Sequence, residues 1–385
     1  MKWPIYKIND ICKVSGGKRL PKGHQFVDSK TKHPYIRITD MSFDSLSTDG
    51  LLYITEETFK HISRYTISKD DIYISIAGTI GYVGKIPEFI DGANLTENCA
   101  KLSEFSDEIN RDYLLYYLRS PRGNGELLVR KGGASQPKLA LERIKTVPVP
   151  VPPINIQSRI ANILSAYDDL IQNNKKQIKL LEEAAMRLYT EWFVNMRFPG
   201  HENTKIVDGV PEGWEYKEVG SLISKTPRTK QVKKSEYNNS GEIPIIDQSR
   251  EFIAGYTDDR ETIVDLGVPV IVFGDHTRIL KLINFPFAKG ADGTQLIVSG
   301  VEEMPQHLLY CSLLNIDLSN YHYARHFKYL KASKIIVPTK NISEEFESIV
   351  EIYFKVIQIL RDKIFLLQKS RDFLLPKLMN GEIEV

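Results

Sequence analysis

Two stretches of the chain carry apolar residues at seven-residue spacing for longer than one globular helix needs. In the first, Ile160, Tyr167, Asn174, Leu181 and Leu188 form one column, and Ile163 and Leu170 begin a second. Leu164, Ile171, Ile178, Ala185 and Trp192 run beside them. In the second stretch, Phe346, Tyr353, Leu360, Leu367 and Leu374 repeat the first column, flanked by Ile349 and Val356 and by Val350, Ile357, Ile364 and Leu378. Both seams turn polar at the same step, Gln177 and Lys363. Stripes of this width predict helices that need a partner helix. Matched in length and pattern, they predict each other as coiled-coil partners. Roughly 40 helical residues reach ~60 Å, so these helices, over 153–198 and 339–385, are expected to be spacers as well as packing surfaces.

Each helix follows an abrupt, proline-bearing strand, "VPVPPINIQ" at Val149–Gln157 and "IVPTKNI" at Ile336–Ile342. Proline cannot donate to a strand ladder. Asn155 and Asn341 behind the prolines are the expected N-caps, with Glu344 completing a capping-box-like start. These segments align at a constant offset of 186, Lys145 on Lys331, Val151-Pro152 on Val337-Pro338, and "YDDLIQ" on "YFKVIQ". A weaker echo near offset 210 joins "WPIYKINDI" from Trp3 to "WEYKEVGSL" from Trp214, and "HPYIRITD" to "IPIIDQS". A period near 190 is far above that of a solenoid. It predicts two similar globular domains, over 1–152 and 199–338, each followed by a long helix. A turn-rich linker, "RFPGHENTKIVDG" and then "PEGW", opens the second.

Within the domains, short β-branched runs such as "PYIRI", "DIYISIAG", "PVIVFG" and "KIIVP" alternate with glycine-bearing loops and with helices such as "RDYLLYYLRS". The fold class is therefore mixed α/β (α+β).

Composition narrows this little. The 385 residues carry mixed charge with a net of only +2. Cys12, Cys99 and Cys311 are isolated and odd in number, which suits reduced thiols in a cytoplasmic setting better than a disulfide framework. The start "MKWPIYKIND" has no apolar signal core, and no run approaches the ~18 apolar residues of a membrane span. A soluble, cytoplasmic protein is expected.

Catalytic signatures are missing. "GTIGYVGKI" (Gly78–Ile86) resembles a phosphate loop only superficially, because its glycines are one residue too far apart and Lys85 precedes Ile86 rather than Ser or Thr. The Pro-Pro pair is followed by Ile154, unlike the Pro-Pro-aromatic signature of amino-methyltransferases. His322 and His326 suit one helical face but lack a third ligand, so no metal site is expected.

Basic clusters stand out against the neutral total. "KVSGGKRLPKGH" holds Lys18, Arg19 and Lys22; "VRKGGASQPKL" holds Lys131, Ser135, Gln136 and Lys138. "KTPRTKQVKK" holds Arg228, Lys230, Lys233 and Lys234, and "YHYARHFKYLK" holds Arg325 and Lys328. Cations among glycines and tyrosines suit phosphate and sugar contact, and both halves carry them.

With "VPVPPINIQSRI" entering the first helix, "EWFVNMRFPG" leaving it and "LLPKLMNGEIEV" ending the second, the whole chain resembles the specificity subunits of type I restriction-modification systems. The resemblance departs from the family's frequent Glu-Gln helix start, here Ile156-Gln157 and Glu344-Glu345. It implies two target recognition domains, each reading half of a bipartite, asymmetric site in double-stranded DNA, held apart by the two long helices paired as an antiparallel coiled coil. It also implies docking of two methyltransferase subunits and, through them, restriction/translocase subunits. The chain itself would be non-catalytic and without a cofactor, S-adenosylmethionine and ATP belonging to the partners. Arg or Lys read guanine edges and Asn or Gln adenine edges. The candidate readers are thus Lys18, Arg19, Arg37, Thr79, Asn94, Ser135 and Gln136 in the first domain. In the second they are Arg228, Gln248, Arg250, His276, Arg278, Thr294 and Arg325. Tyr189, Trp192, Phe193 and Phe373 are expected to be exposed anchors for the methyltransferases. A fused enzyme with unrecognised motifs and a stand-alone DNA-binding scaffold or regulator are the rival readings.

Overall fold

The computed structural model describes residues 3–42, 46–133, 137–267, 269–321 and 325–385. The chain forms two compact units, Met1–Gln172 with Ile364–Val385, and Asn173–Lys363. No described helix is long and apolar enough to cross a membrane.

Unit 1 is built on two four-stranded sheets and a two-stranded ribbon. Its strands are β1 (Ile5–Lys7), β2 (Lys13–Gly16), β3 (Pro34–Ile36), β4 (Leu52–Tyr53), β5 (Thr66–Ile67), β6 (Ile72–Ser75), β7 (Val83–Gly84), β8 (Ala93–Leu95), β9 (Cys99–Ser103) and β10 (Pro148–Pro150). The sheets run β2-β9-β6-β7 and β4-β3-β8-β5, and β1 pairs with β10. β3 and β8 are parallel; the other pairs are antiparallel. Every residue of β6, "IYIS", is buried, as expected of β-branched and aromatic residues covered on both faces. The helices are α1 (Ile8–Ile11), α2 (Glu56–Ile62), α3 (Arg111–Arg119), α4 (Pro121–Val129) and α5 (Leu141–Lys145), followed by the long α6 (Ile154–Tyr189).

The prolines of β10 launch α6. The carbonyls of Pro148 and Pro150 accept hydrogen bonds from Tyr117 Oη (2.6 Å) and Tyr113 Oη (2.7 Å) of α3. Gln157, fully buried in the first turn of α6, donates to the carbonyls of Pro152 and Glu108 and accepts from the Asn110 amide.

Unit 2 repeats the topology. Its strands are β11 (Ile206–Val207), β12 (Val210–Pro211), β13 (Glu215–Glu218), β14 (Ile243–Ile246), β15 (Gly255–Thr257), β16 (Ile263–Val264), β17 (Val270–Gly274), β18 (Leu280–Ile283), β19 (Phe287–Lys289), β20 (Thr294–Ile297) and β21 (Lys334–Val337). The sheet β15-β14-β19-β16 contains the same single parallel pair as its unit 1 counterpart. The sheet β18-β17-β20 matches β7-β6-β9, and β13–β21 matches β1–β10. Among the described residues, β11–β12, a hairpin in the linker, has no counterpart in unit 1, and in place of β2 unit 2 has an isolated bridge between Ile223 and Ser299. Helices α7 (Val219–Leu222), α8 (Gln306–Leu314) and α9 (Phe327–Ala332) precede α10 (Lys340–Met379).

Within unit 1, Ile160, Ala161 and Leu164 of α6 share a core with Leu375, Leu378 and Met379 of α10. Within unit 2, Ala185 and Tyr189 share a core with Phe346, Val350 and Ile357. In each unit the two helix segments run antiparallel. Several details differ from the sequence reading. The helices begin at Ile154 and Lys340, so Asn155 and Asn341 are second helical residues rather than caps. The preceding Pro153 and Thr339 carbonyls accept the first amides. In the second seam column, Leu170 and Val356 are exposed. The first helix ends at Tyr189 in a π-turn over Thr190–Val194.

Candidate nucleic-acid interface

In unit 1, the ends of β2 and β6 and the start of β9 meet at one edge of their sheet, with Gly16 opposite Ala100 and Ser75 opposite Cys99. The loop after β2 is held there by bonds from the Gly17 amide to Cys99 O (3.0 Å) and from the Lys18 amide to Leu95 O (2.8 Å). Gly17 is required, since a Cβ would lie 2.1 Å from Thr96 O. Tyr35 Oη donates to Lys18 O (2.7 Å). The loop after β6 carries exposed Thr79, and its Ala77 bridges Lys138 of the loop that holds exposed Lys131. One sheet edge therefore gathers Lys18, Arg19, Thr79 and Lys138, with exposed Lys22 and Lys131 on the loops leading to it. Arg19 pairs with Glu97 at 2.9 Å with three-quarters of its side chain exposed, an arrangement of little net strength and free to exchange for a phosphate.

Two candidates of this unit have other places. Arg37 is engaged by Asp40, Nη2 to Oδ1 at 2.7 Å and Nε to Oδ2 at 3.2 Å, which fixes the turn after β3. Asn94 is 1% exposed inside β8, its amide donating to Ile62 O, so it is a structural residue in this conformation. Ser135 and Gln136 lie outside the described residues.

Unit 2 builds the same edge. The Val232 amide donates to Lys289 O at 3.0 Å, the counterpart of the Lys18–Leu95 bond, since β19 corresponds to β8. Val232 therefore stands where Lys18 does in unit 1 and exposed Lys233 where Arg19 does, with exposed Lys234 next to it. The loop after β17 presents exposed His276 and Arg278. Gln248 organises it, accepting from the His276 amide (3.1 Å) and donating to Asp292 O (2.9 Å). Arg278 has φ +62°, a backbone region L-residues seldom occupy, and its Nη1 donates to Leu318 O. Arg325 and Lys328 are exposed around α9, where Lys328 lies 4.6 Å over the Tyr329 ring. Buried His326 is bonded to Asp275 O and Tyr321 O; His322 lies outside the described residues.

Here too the fold withdraws candidates. Thr294 is 1% exposed and donates to Ala291 O. Lys230 bridges Asp259 (2.7 Å) and Glu261 (3.2 Å), and these carboxylates raise its pKa. Arg228 and Arg250 are exposed, Arg250 beside a cleft of about 290 Å³ lined also by Lys281, Phe252 and Arg361. Burial lowers Lys281 to about 8 while its ammonium donates to the carbonyls of Asp247 and Glu251. Sequence reasoning missed Lys281, because a lysine among apolar strand residues gives no sign of which carbonyls it will reach.

The aromatic anchors need a larger correction. Tyr189, Trp192 and Phe193 are buried, with Phe193 5.0 Å from Phe346 and 5.6 Å from Trp214 in the core of unit 2. The π-turn and the chain reversal behind it fold these rings inward. Phe373, 61% exposed in unit 1, is the one of the four at the surface.

Residues 1–183 match the type I restriction modification DNA specificity domain. The chain is 28% identical over 420 aligned residues to the type I restriction enzyme MjaIX specificity subunit of Methanocaldococcus jannaschii, covering all of this chain and 94% of that one. It is 27% identical over 266 residues to the putative MjaX specificity subunit of the same organism, covering 65% and 60%. The crystal structure of a type I restriction-modification S subunit from M. genitalium superposes with a TM-score of 0.57 at 16% identity, over 98% of this chain and 96% of that one.

Proposed function

We propose that this chain is a specificity subunit of the type I restriction-modification class, a reading supported by its match over residues 1–183 and its likeness to the MjaIX subunit, and that it reads a bipartite, asymmetric DNA site, one half per unit, through the loop-bearing sheet edges. One observation supports the reading above the rest. The Lys18–Leu95 and Val232–Lys289 hydrogen bonds give the two basic segments equivalent positions in topologically equivalent units. Their surroundings differ in sequence, so the half-sites differ. Exposed lysines contact phosphates and set the register. Thr79, Gln248, His276, Arg278 and Arg325 are the side chains nearest to a base-reading role, Gln248 by holding its loop.

The chain performs no chemistry in this reading and holds no cofactor. It positions two methyltransferase subunits, which bring S-adenosylmethionine, and through them restriction/translocase subunits that use ATP. Apolar side chains left exposed on the long helices suit that docking: Phe365, Leu366 and Phe373 in unit 1, Leu180, Ile352 and Ile359 in unit 2. Phe373 is kept from the sequence expectation, and the others stand in for the buried Tyr189, Trp192 and Phe193.

The test is a domain exchange in the assembled methyltransferase. Replacing residues 1–150 with the first domain of another specificity subunit is expected to change one half of the methylated sequence and leave the other intact. A change in both halves would refute the division of labour.

A further inference from the structure

We infer that His24, Glu57 and His61 form a binding site for a divalent transition metal of the zinc class in unit 1. Each offers one donor atom, and the three atoms lie within 4.8 Å of one another. Glu57 and His61 are four residues apart on α2, hence on one helical face. His24 reaches them from the loop that follows β2, through the turn in which its amide donates to Pro21 O. The two imidazole rings meet edge to face, their centroids 5.2 Å apart.

What makes this more than a chance meeting on the surface is the support behind His24. Its Nδ1 is 2.8 Å from Oγ1 of Thr58, a residue 2% exposed, and that hydroxyl is also 2.9 Å from Thr55 Oγ1 at the helix N-cap. With Nδ1–H donated to the hydroxyl, the lone pair is on Nε2. Metal-bound histidines are ordinarily held by such a bond through their second nitrogen.

Two imidazoles and one carboxylate suit Zn²⁺, Co²⁺ or Ni²⁺, whereas Mg²⁺ and Ca²⁺ prefer all-oxygen sites. Donor atoms on tetrahedral zinc lie about 3.3 Å apart. Closure therefore asks for a shift of at most about 1.5 Å, which the exposed side chains of Glu57 and His61 can supply. The fourth position is left to water. A bound ion would tie the loop carrying Lys18, Arg19 and Lys22 to α2. The ligand site stands on its own geometry; only this consequence for the basic loop rests on the DNA-reading proposal.

Co²⁺ titration of the full-length, metal-stripped chain tests the site. We expect one ion bound with visible d–d absorption and no thiolate charge-transfer band, since the cysteines are buried elsewhere. His61→Ala and His24→Ala should each weaken binding by roughly a hundredfold, and Thr58→Val by about tenfold; His201→Ala, on the exposed linker, should leave it unchanged. Failure of Co²⁺ to bind, or binding that survives His61→Ala undiminished, overturns the assignment. Because the readout needs no DNA, its failure is separate from any failure of DNA reading. If the site holds, Zn²⁺ should also slow hydrogen exchange in the loop over 17–27.

Discussion

Replacing Asp168 with asparagine should loosen unit 1 where its globular part meets the long helices. Asp168 on α6 accepts from Tyr116 Oη (2.8 Å) and Arg119 Nη1 (3.3 Å) of α3, and from Arg371 Nη1 (2.6 Å) of α10. One carboxylate thus joins three helices. The side chains of Asp168, Arg119 and Arg371 are 21%, 9% and 10% exposed. Removing one partner of a buried ion pair costs ~3–5 kcal/mol. The cost here is smaller, because Asp168 is partly wet, Arg371 keeps Asp372, and Arg119 keeps the Val83 carbonyl. About 2–3 kcal/mol of unit 1 stability should be lost, which for a domain of this size lowers its melting temperature by roughly 4–12 °C. Tyr116→Phe, removing a single hydrogen bond, should cost about 1 kcal/mol. Hydrogen exchange read by mass spectrometry gives the assay. In Asp168→Asn, peptides from 111–119, 160–172 and 364–379 should exchange faster, and those from β17 and α8 should not. A loss below about 1 kcal/mol, or equal acceleration in both units, would refute the idea that this carboxylate fastens the three helices together.

Two further outcomes are expected. Lys233→Ala with Lys234→Ala should weaken the assembled methyltransferase on all DNA sequences alike and reduce the salt-dependence slope by about two; a loss confined to the cognate site would show that these lysines read bases. Lys281 offers a pH test, its pKa being lowered by burial from 10.5 to about 8. Between those values the unfolded chain binds the extra proton, so this group's contribution to stability rises with pH, and its penalty is fully present below pH 8. Urea unfolding should therefore show wild type gaining on Lys281→Met by up to roughly 3 kcal/mol across that window. Taking the difference cancels the buried cysteines, whose raised pKa values act in the opposite direction. A flat difference would refute the shift.

Local periodicity was enough to reveal the long helices and the internal repeat, because heptad spacing and an offset of 186 are properties of the chain read in one dimension. The repeat also anticipated similar topology in the two halves, and lysine-rich loops marked segments that fall at equivalent sheet edges. Which candidate faces solvent was not legible in this way. Arg37 and Lys230 are engaged by carboxylates whose geometry depends on turns, Asp40 in one case and Asp259 and Glu261 in the other. Asn94 and Thr294 are polar side chains held under a strand's neighbours. Trp192 looks the same in a helical stripe whether it faces a partner subunit or Phe193 and Phe346. The Asp168–Arg371 and Glu182–Arg361 pairs join residues 203 and 179 positions apart, and nothing near either member announces the other. Spacing along the chain determines which face of an element is apolar. What meets that face, and which charges are neutralised there, is decided only when distant segments close on one another and water leaves between them.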